Sequence, residues 1–198
     1  MRLGLLLPNL IASAQIGLPQ MAHALELFFD PDSEAKVRRL WDRLAAAGLP
    51  SLATRTHRRH RPHVTLVVAE RIDAARLQDG RDRLAASHLD ITLHSPAVFQ
   101  RSGVLYLSVV PTLALLRLHQ QVHAALADSL VAPWQAYAVG AWVPHCTLAQ
   151  GLTREQLARG IDLLHDQPAV EAHVTGSGIL DTETGEVQPV ASMRSHPS

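Results

Sequence analysis

The chain has 198 residues, enough for one domain or for one domain built of two similar lobes, and 47% of them are apolar. With 18 basic and 18 acidic side chains the formal net charge is zero, which argues against a global pull towards nucleic acid and makes any anion site a local one. Cys146 is the single cysteine, so an intrachain disulfide and a cysteine zinc cluster are both excluded; a reducing, cytoplasmic setting is expected. No apolar run is long enough to span a bilayer as a helix, and no membrane partner is expected.

Residues 1–20 loosely imitate a signal peptide, with Arg2, Leu3 to Leu7 and Ala12-Ser13-Ala14, but Pro8 and Asn9 interrupt the apolar stretch early. They read as an N-terminal extension, poorly structured, ahead of one bilobal domain over 21–192 and a tail over 193–198. Ala22 to Phe29 reads as a strand. Asp30-Pro31-Asp32-Ser33 signals a helix start, with Ser33 or Asp32 as cap, and Glu34 to Ala47 carries Val37, Leu40, Trp41 and Leu44 at helical spacing. Thr54 to Arg61 is a basic loop, His63 to Ala69 a strand, Asp73 to Ala86 a helix with Leu77 and Leu84 inward, and Leu89 to His94 a strand that Ser95-Pro96 breaks.

The second half repeats this order. Val104 to Val110 is a strand and Pro111 to Leu130 a long helix with Leu115, Leu118, Val122 and Leu126 on one face. Ala132 to Trp142 is a connection and His145 to Ala149 a strand. Thr153 to Leu164 is a helix opened by a near capping box, and Val170 to Leu180 and Glu186 to Val190 are closing strands. Leu27 to His63 spans 36 residues and Tyr106 to His145 spans 39, so each half places one equivalent strand after its helix.

Those two strands carry the same text: Pro62-His63-Val64-Thr65-Leu66 and Pro144-His145-Cys146-Thr147-Leu148. Strand alternation points each histidine with its threonine to one face and the apolar pair to the other. In-line attack at phosphorus needs one proton removed from the nucleophile and one given to the leaving oxygen, and imidazole does either near neutral pH. Threonine hydroxyls two residues on would stabilise charge on the non-bridging oxygens, with no metal or cofactor required. His173-Val174-Thr175-Gly176 is a decoy: it lacks the proline and the closing large apolar residue, and lies on another strand of the repeat.

These paired motifs, 82 residues apart (145 − 63), resemble those of the 2H phosphoesterase superfamily, with its 2′-5′ RNA ligase-like and RNA 2′,3′-cyclic phosphodiesterase members. ELFFDP, RPHVTL, WVPHCTLAQGL and the terminal strand pair agree, and the resemblance covers about Ala22 to Val190. It implies an α+β, bilobal, pseudo-twofold fold, with two antiparallel-rich sheets lining a central groove and helices outside. It also implies metal-independent hydrolysis of RNA 2′,3′-cyclic phosphate ends or 2′-5′ linkages, with His63 and His145 catalytic and Thr65 and Thr147 on the phosphate. Competing readings are a cyclic phosphodiesterase for a small nucleotide and a non-catalytic RNA-binding module. RNA ends or small cyclic nucleotides are the expected partners, and a monomer the expected state. The sequence has no P-loop, which disfavours ATP-driven ligation.

Beside the motifs, Arg55, Arg58, Arg59 and Arg61 form a candidate phosphate-gripping arm, of which Arg58, Arg59 and Arg61 are the candidate RNA contacts. Tyr106, alternating with Leu105 and Leu107, is a candidate base-stacking residue, whereas Phe29 is assigned to the core and Trp142 is open between the two. The spacing of His57, His60 and His63 invites a metal, but Pro62 breaks the helical register that would unite them, so none is expected. Cys146 is expected to point away from the groove.

Overall fold

The computed structural model describes residues 22–54, 60–77 and 89–192. In chain order these form β1 (His23–Phe29), α1 (Pro31–Ala46), β2 (His63–Ala69), β3 (Arg71–Ile72), β4 (Leu89–Phe99) and β5 (Val104–Val109). Then come α2 (Leu113–Leu126), β6 (Leu130–Val131), β7 (His145–Ala149), α3 (Arg154–Leu164), β8 (Val170–Asp181) and β9 (Val187–Ser192). Single 3₁₀ turns occupy Leu52–Thr54, Ala74–Leu77 and Gln135–Tyr137.

Local chemistry places the helices. Asp30 caps α1, not Ser33 or Asp32: its Oδ1 accepts from the backbone N–H groups of Asp32 and Ser33 at 3.0 Å each, and Pro31 sits where its missing donor costs nothing. Ser33 instead turns inward and donates its own hydroxyl to Asp30. Thr153 and Gln156 complete the capping box anticipated for α3. The predicted long helix after Pro111 is shorter. Thr112 caps α2, which ends at Leu126, and Leu130 and Val131 leave helical geometry to pair with Ile72 and Arg71. Those two short strands were not predicted. Of the helix expected over Asp73 to Ala86, the described part forms the 3₁₀ turn Ala74–Leu77, and the rest of that expectation lies outside the described residues. Pro96 does not end β4, because a register shift between Leu93 and Pro96 absorbs the missing donor and lets the strand run on to Phe99.

Six strands join antiparallel in the order β2-β1-β8-β4-β5-β7, and β9 adds to β8. β8 is shared: Val170 to Val174 pairs with β4, while Val174 to Asp181 pairs with β1 and Gly176 to Leu180 also with β9. One antiparallel sheet therefore runs through both motif strands by way of long β8, with β4 from the first half of the chain beside β5 and β7 and with β8 and β9 from the second half beside β1 and β2, and the fold is the α+β arrangement expected. Leu25, Leu27 and Phe29 of β1 meet Val37, Leu40, Trp41 and Leu44 of α1 in one core that extends to Leu105, Leu107, Leu115, Val122 and Leu164. Each such side chain contributes roughly 1.5–3 kcal/mol relative to exposure.

The repeat is visible in the register. In β1–β2 the pairs are Phe28 with His63 and Glu26 with Thr65, and the ladder then skips Leu66 to pair Leu25 with Val67. In β5–β7 the pairs are Ser108 with His145 and Tyr106 with Thr147, and the ladder skips Leu148 to pair Leu105 with Ala149. Both halves thus carry a bulge directly after the threonine, a device that re-aims side chains beside a site. The residue matching Tyr106 is Glu26, not its neighbour Leu27. Thr65 follows Glu26 by 39 residues and Thr147 follows Tyr106 by 41.

Candidate active site

β2 and β7 lie at opposite ends of the strand path, yet the tertiary fold packs them together. Two tryptophans hold that approach. Trp142, just before β7, donates Nε1–H to the Thr65 carbonyl at 3.0 Å, and Trp41 of α1 donates to the Thr147 carbonyl at 3.2 Å. Each half thereby ties down the other half's motif at its bulge, where a backbone acceptor would otherwise lack a partner. Trp142 stacks flat on His119, with centroids 4.0 Å apart and planes at 4°. In this position it braces the approach of β7 to β2. His119 Nε2 meets the Tyr137 carbonyl at 3.0 Å and His123 Nε2 the Leu66 carbonyl at 3.3 Å.

The two histidines are oriented identically. His63 Nδ1 lies 2.6 Å from the Arg61 carbonyl, and His145 Nδ1 lies 2.7 Å from the Val143 carbonyl. A carbonyl can only accept, so each Nδ1 carries the hydrogen and each Nε2 is left for acid–base work. Burial pushes both imidazoles below their ordinary pKa, and the charge of His63 adds to the depression at His145. Thr65 and Thr147 share the strand face of their histidines and are 8% and 7% exposed.

The surroundings of the two histidines differ. Glu26, 3% exposed, brings Oε1 to 3.3 Å from His63 Nε2. Burial raises this carboxyl from 4.5 to about 8, against the lowering influence of Arg61. His145 instead meets rings: Phe99 edge-on at 5.0 Å, Tyr106 at 5.2 Å and Tyr137 at 6.4 Å. Tyr106 and Phe99 stack at 4.2 Å. Tyr137 is pushed up to about 12 by burial and by the Glu26 carboxylate.

The sequence-derived candidates distribute as follows. Tyr106, 7% exposed, lies beside His145 and pairs with Thr147. Arg61 lies beside His63, but its guanidinium bonds Glu34 through Nε at 2.8 Å and covers the Phe28 ring at 4.5 Å. Arg55, His57, Arg58 and Arg59 fall outside the described residues, so the basic arm and the spaced-histidine metal reading both rest there. Among the described residues no three His, Cys, Asp or Glu side chains converge as metal ligands. Phe29 is in the core, and Cys146 is fully buried with its thiol pushed up to about 12 by burial. The decoy His173 is exposed and pairs with Asp90 at 2.7 Å. Among the described residues, no helix is long and apolar enough to cross a membrane.

Glu26, Phe99 and Tyr137 were missed from sequence. The signal for Glu26 was a lone carboxylate within the apolar run Leu25 to Phe29. Matching Leu27 to Tyr106 hid it, because a one-residue slip in a strand moves every side chain to the other face.

The fold is similar to those of three solved structures. Escherichia coli LigT complexed with NADP+ is 15% identical with a TM-score of 0.51, over 85% of this chain and 94% of that one. A phosphoesterase is 16% identical with a TM-score of 0.52 over the same shares, and E. coli LigT complexed with phosphate is 14% identical at 0.50, over 85% and 93%. No curated protein matches by sequence. The model of the 2'-5' RNA ligase superfamily matches residues 29–186, which also spans both motifs, and the chain belongs to that superfamily of phosphoesterase and ligase-like enzymes.

Proposed function

We propose that this protein is a metal-independent phosphodiesterase acting on RNA 2′,3′-cyclic phosphate ends or 2′-5′ linkages through two-histidine acid–base catalysis. The observation that supports the reading is the matched pair of Nδ1–carbonyl bonds, which gives both motif histidines the same tautomer on two strands that pack together. For a cyclic phosphate, one Nε2 takes a proton from water as its oxygen attacks phosphorus. The other gives a proton to the ribose oxygen as the P–O bond breaks, leaving a phosphomonoester and a free hydroxyl. Thr65 and Thr147 donate to the non-bridging oxygens, where charge grows in the transition state. Solved structures of a fold neighbour, LigT, hold phosphate and NADP+, which fits a site for phosphate-bearing nucleotides.

The test is hydrolysis of nucleoside 2′,3′-cyclic phosphates and of short oligonucleotides with cyclic phosphate or 2′-5′ ends, followed by chromatography with EDTA present. His63→Ala and His145→Ala should each reduce turnover by about 10²–10⁴-fold, the usual contribution of a positioned acid or base. Variants as fast as the parent would refute the mechanism. A preference for mononucleotides over oligonucleotides would favour a small-nucleotide phosphodiesterase, and binding of RNA without turnover a binding module.

A further inference from the structure

The two halves repeat each other in register, bulge and histidine orientation, but not in what stands beside each Nε2. The position that holds a tyrosine next to the second motif holds a buried carboxylate next to the first. We propose that Glu26 is a positioning residue that shares one proton with His63 Nε2 and so makes His63 the acid and His145 the base. The assignment rests on the two-histidine reading above, which by itself leaves the roles open.

Glu26 and His63 are 3.3 Å apart, and both side chains are nearly enclosed, at 4% and 13% exposure. The pair carries no net charge while it holds its one exchangeable proton, whether as carboxylic acid and imidazole or as carboxylate and imidazolium. A neutral pair does not repel a phosphate. The arriving anion favours the imidazolium form, which moves the proton onto Nε2, while Nδ1–H stays on the Arg61 carbonyl. His145 has no carboxylate within ion-pair distance among the described residues, and its aromatic surroundings favour the neutral ring with a free lone pair.

The groups facing Glu26 are few. Arg61 precedes β2 and lowers the carboxyl pKa, with its own charge shared with Glu34. Tyr137 from the 3₁₀ turn and Cys146 from β7 feel the carboxylate, and both are themselves held protonated. On β8 the paired residue is Gly178, which brings no side chain. A Cβ there would stand 3.1 Å from the Phe28 ring and 2.6 Å from Val187.

In the resulting step, His145 Nε2 takes a proton from water, the water oxygen bonds to phosphorus, and His63 Nε2–H protonates the departing ribose oxygen. Glu26 is left as a carboxylate beside a neutral His63, and His145 as an imidazolium. Solvent then returns the proton from one side of the site to the other.

The deciding experiment compares Glu26→Gln and Glu26→Asp with His63→Ala and His145→Ala on two substrates. One is a nucleoside 2′,3′-cyclic phosphate, whose alkoxide must be protonated to leave. The other is bis(4-nitrophenyl) phosphate, whose nitrophenolate leaves without a proton. Glu26→Gln should reduce kcat/KM on the cyclic substrate by about 10²-fold, at the lower end of general-acid effects, and by less than tenfold on the nitrophenyl ester. His63→Ala should show the same split, His145→Ala should lose rate on both, and Glu26→Asp should recover part of the loss.

A second readout does not depend on turnover. In the unliganded parent the ¹⁵N shift of His63 Nε2 should show an inflection near the carboxyl value of about 8, and Glu26→Gln should abolish it. Equal losses on the two substrates, or an unchanged His63 titration in Glu26→Gln, overturns the proposal. A parent inactive on both substrates refutes the phosphodiesterase reading, and the titration still decides whether Glu26 and His63 share a proton.

Discussion

Replacing Glu26 with Gln should make the protein more stable at neutral pH. Burial holds the folded carboxyl at about 8, against 4.5 when unburied. Between those values the folded state keeps a proton that the unfolded chain releases, so stability is full below pH 4.5 and falls as pH rises towards 8. At pH 7 the unfolded chain has gained about 2.5 pH units of ionisation, which at 1.36 kcal/mol per unit is about 3 kcal/mol lost by the parent. Glutamine has nearly the same shape and no such linkage. In a chain of this size the difference corresponds to about 6–12 °C in Tm. Urea unfolding of both proteins at pH 5.5 and 7 measures it: the advantage of the variant should widen by about 2 kcal/mol over that interval. A gap that is constant or reversed would show that the carboxyl is not held protonated in the folded state. A stabilised but slower variant is the expected pattern for a group kept in a costly environment for function.

Three further outcomes follow from the geometry. Thr65→Val and Thr147→Val preserve side-chain shape and should each lower kcat on a cyclic phosphate by about 10–10³-fold, with unchanged circular dichroism. Trp142→Phe keeps a ring on His119 but leaves the Thr65 carbonyl without its indole donor, so denaturant titration should show a loss of about 1–3 kcal/mol; no loss would mean water replaces the bond. His119 is held at about 4, against 6.5, by burial first and by the charge of His123 second. Its folded form binds fewer protons than the unfolded one, so the stability it contributes is full above pH 6.5 and disappears as pH falls towards 4. His119→Gln should flatten the stability–pH curve by about 3 kcal/mol across that window, and an unflattened curve would place the acid sensitivity elsewhere.

Much of the site was legible because its grammar is local. Pro-His-apolar-Thr-Leu specifies strand entry, alternation and a shared face within five residues, so both His-x-Thr pairs and the buried Cys146 followed directly. Most element types among the described residues followed from periodicity, and their ends did not. Helix α2 stops where Leu130 and Val131 find a partner strand from 58 or more residues earlier in the chain (130 − 72), and Pro96 stays in β4 because a register shift accommodates it. Neither outcome is encoded near the residues concerned.

By itself, the sequence determined that this chain carries two equivalent strands, each presenting a histidine and a threonine to one face. Only the tertiary structure decided what stands beside them. Long β8 joins β1 to β4 in one sheet, the indoles of Trp41 and Trp142 each hold the other half's motif, and a one-residue register choice puts Glu26, not Leu27, opposite Thr65. The physical reason is that strand pairing and packing are set by non-local contacts, while alternation within a strand is set by the backbone of each residue in turn.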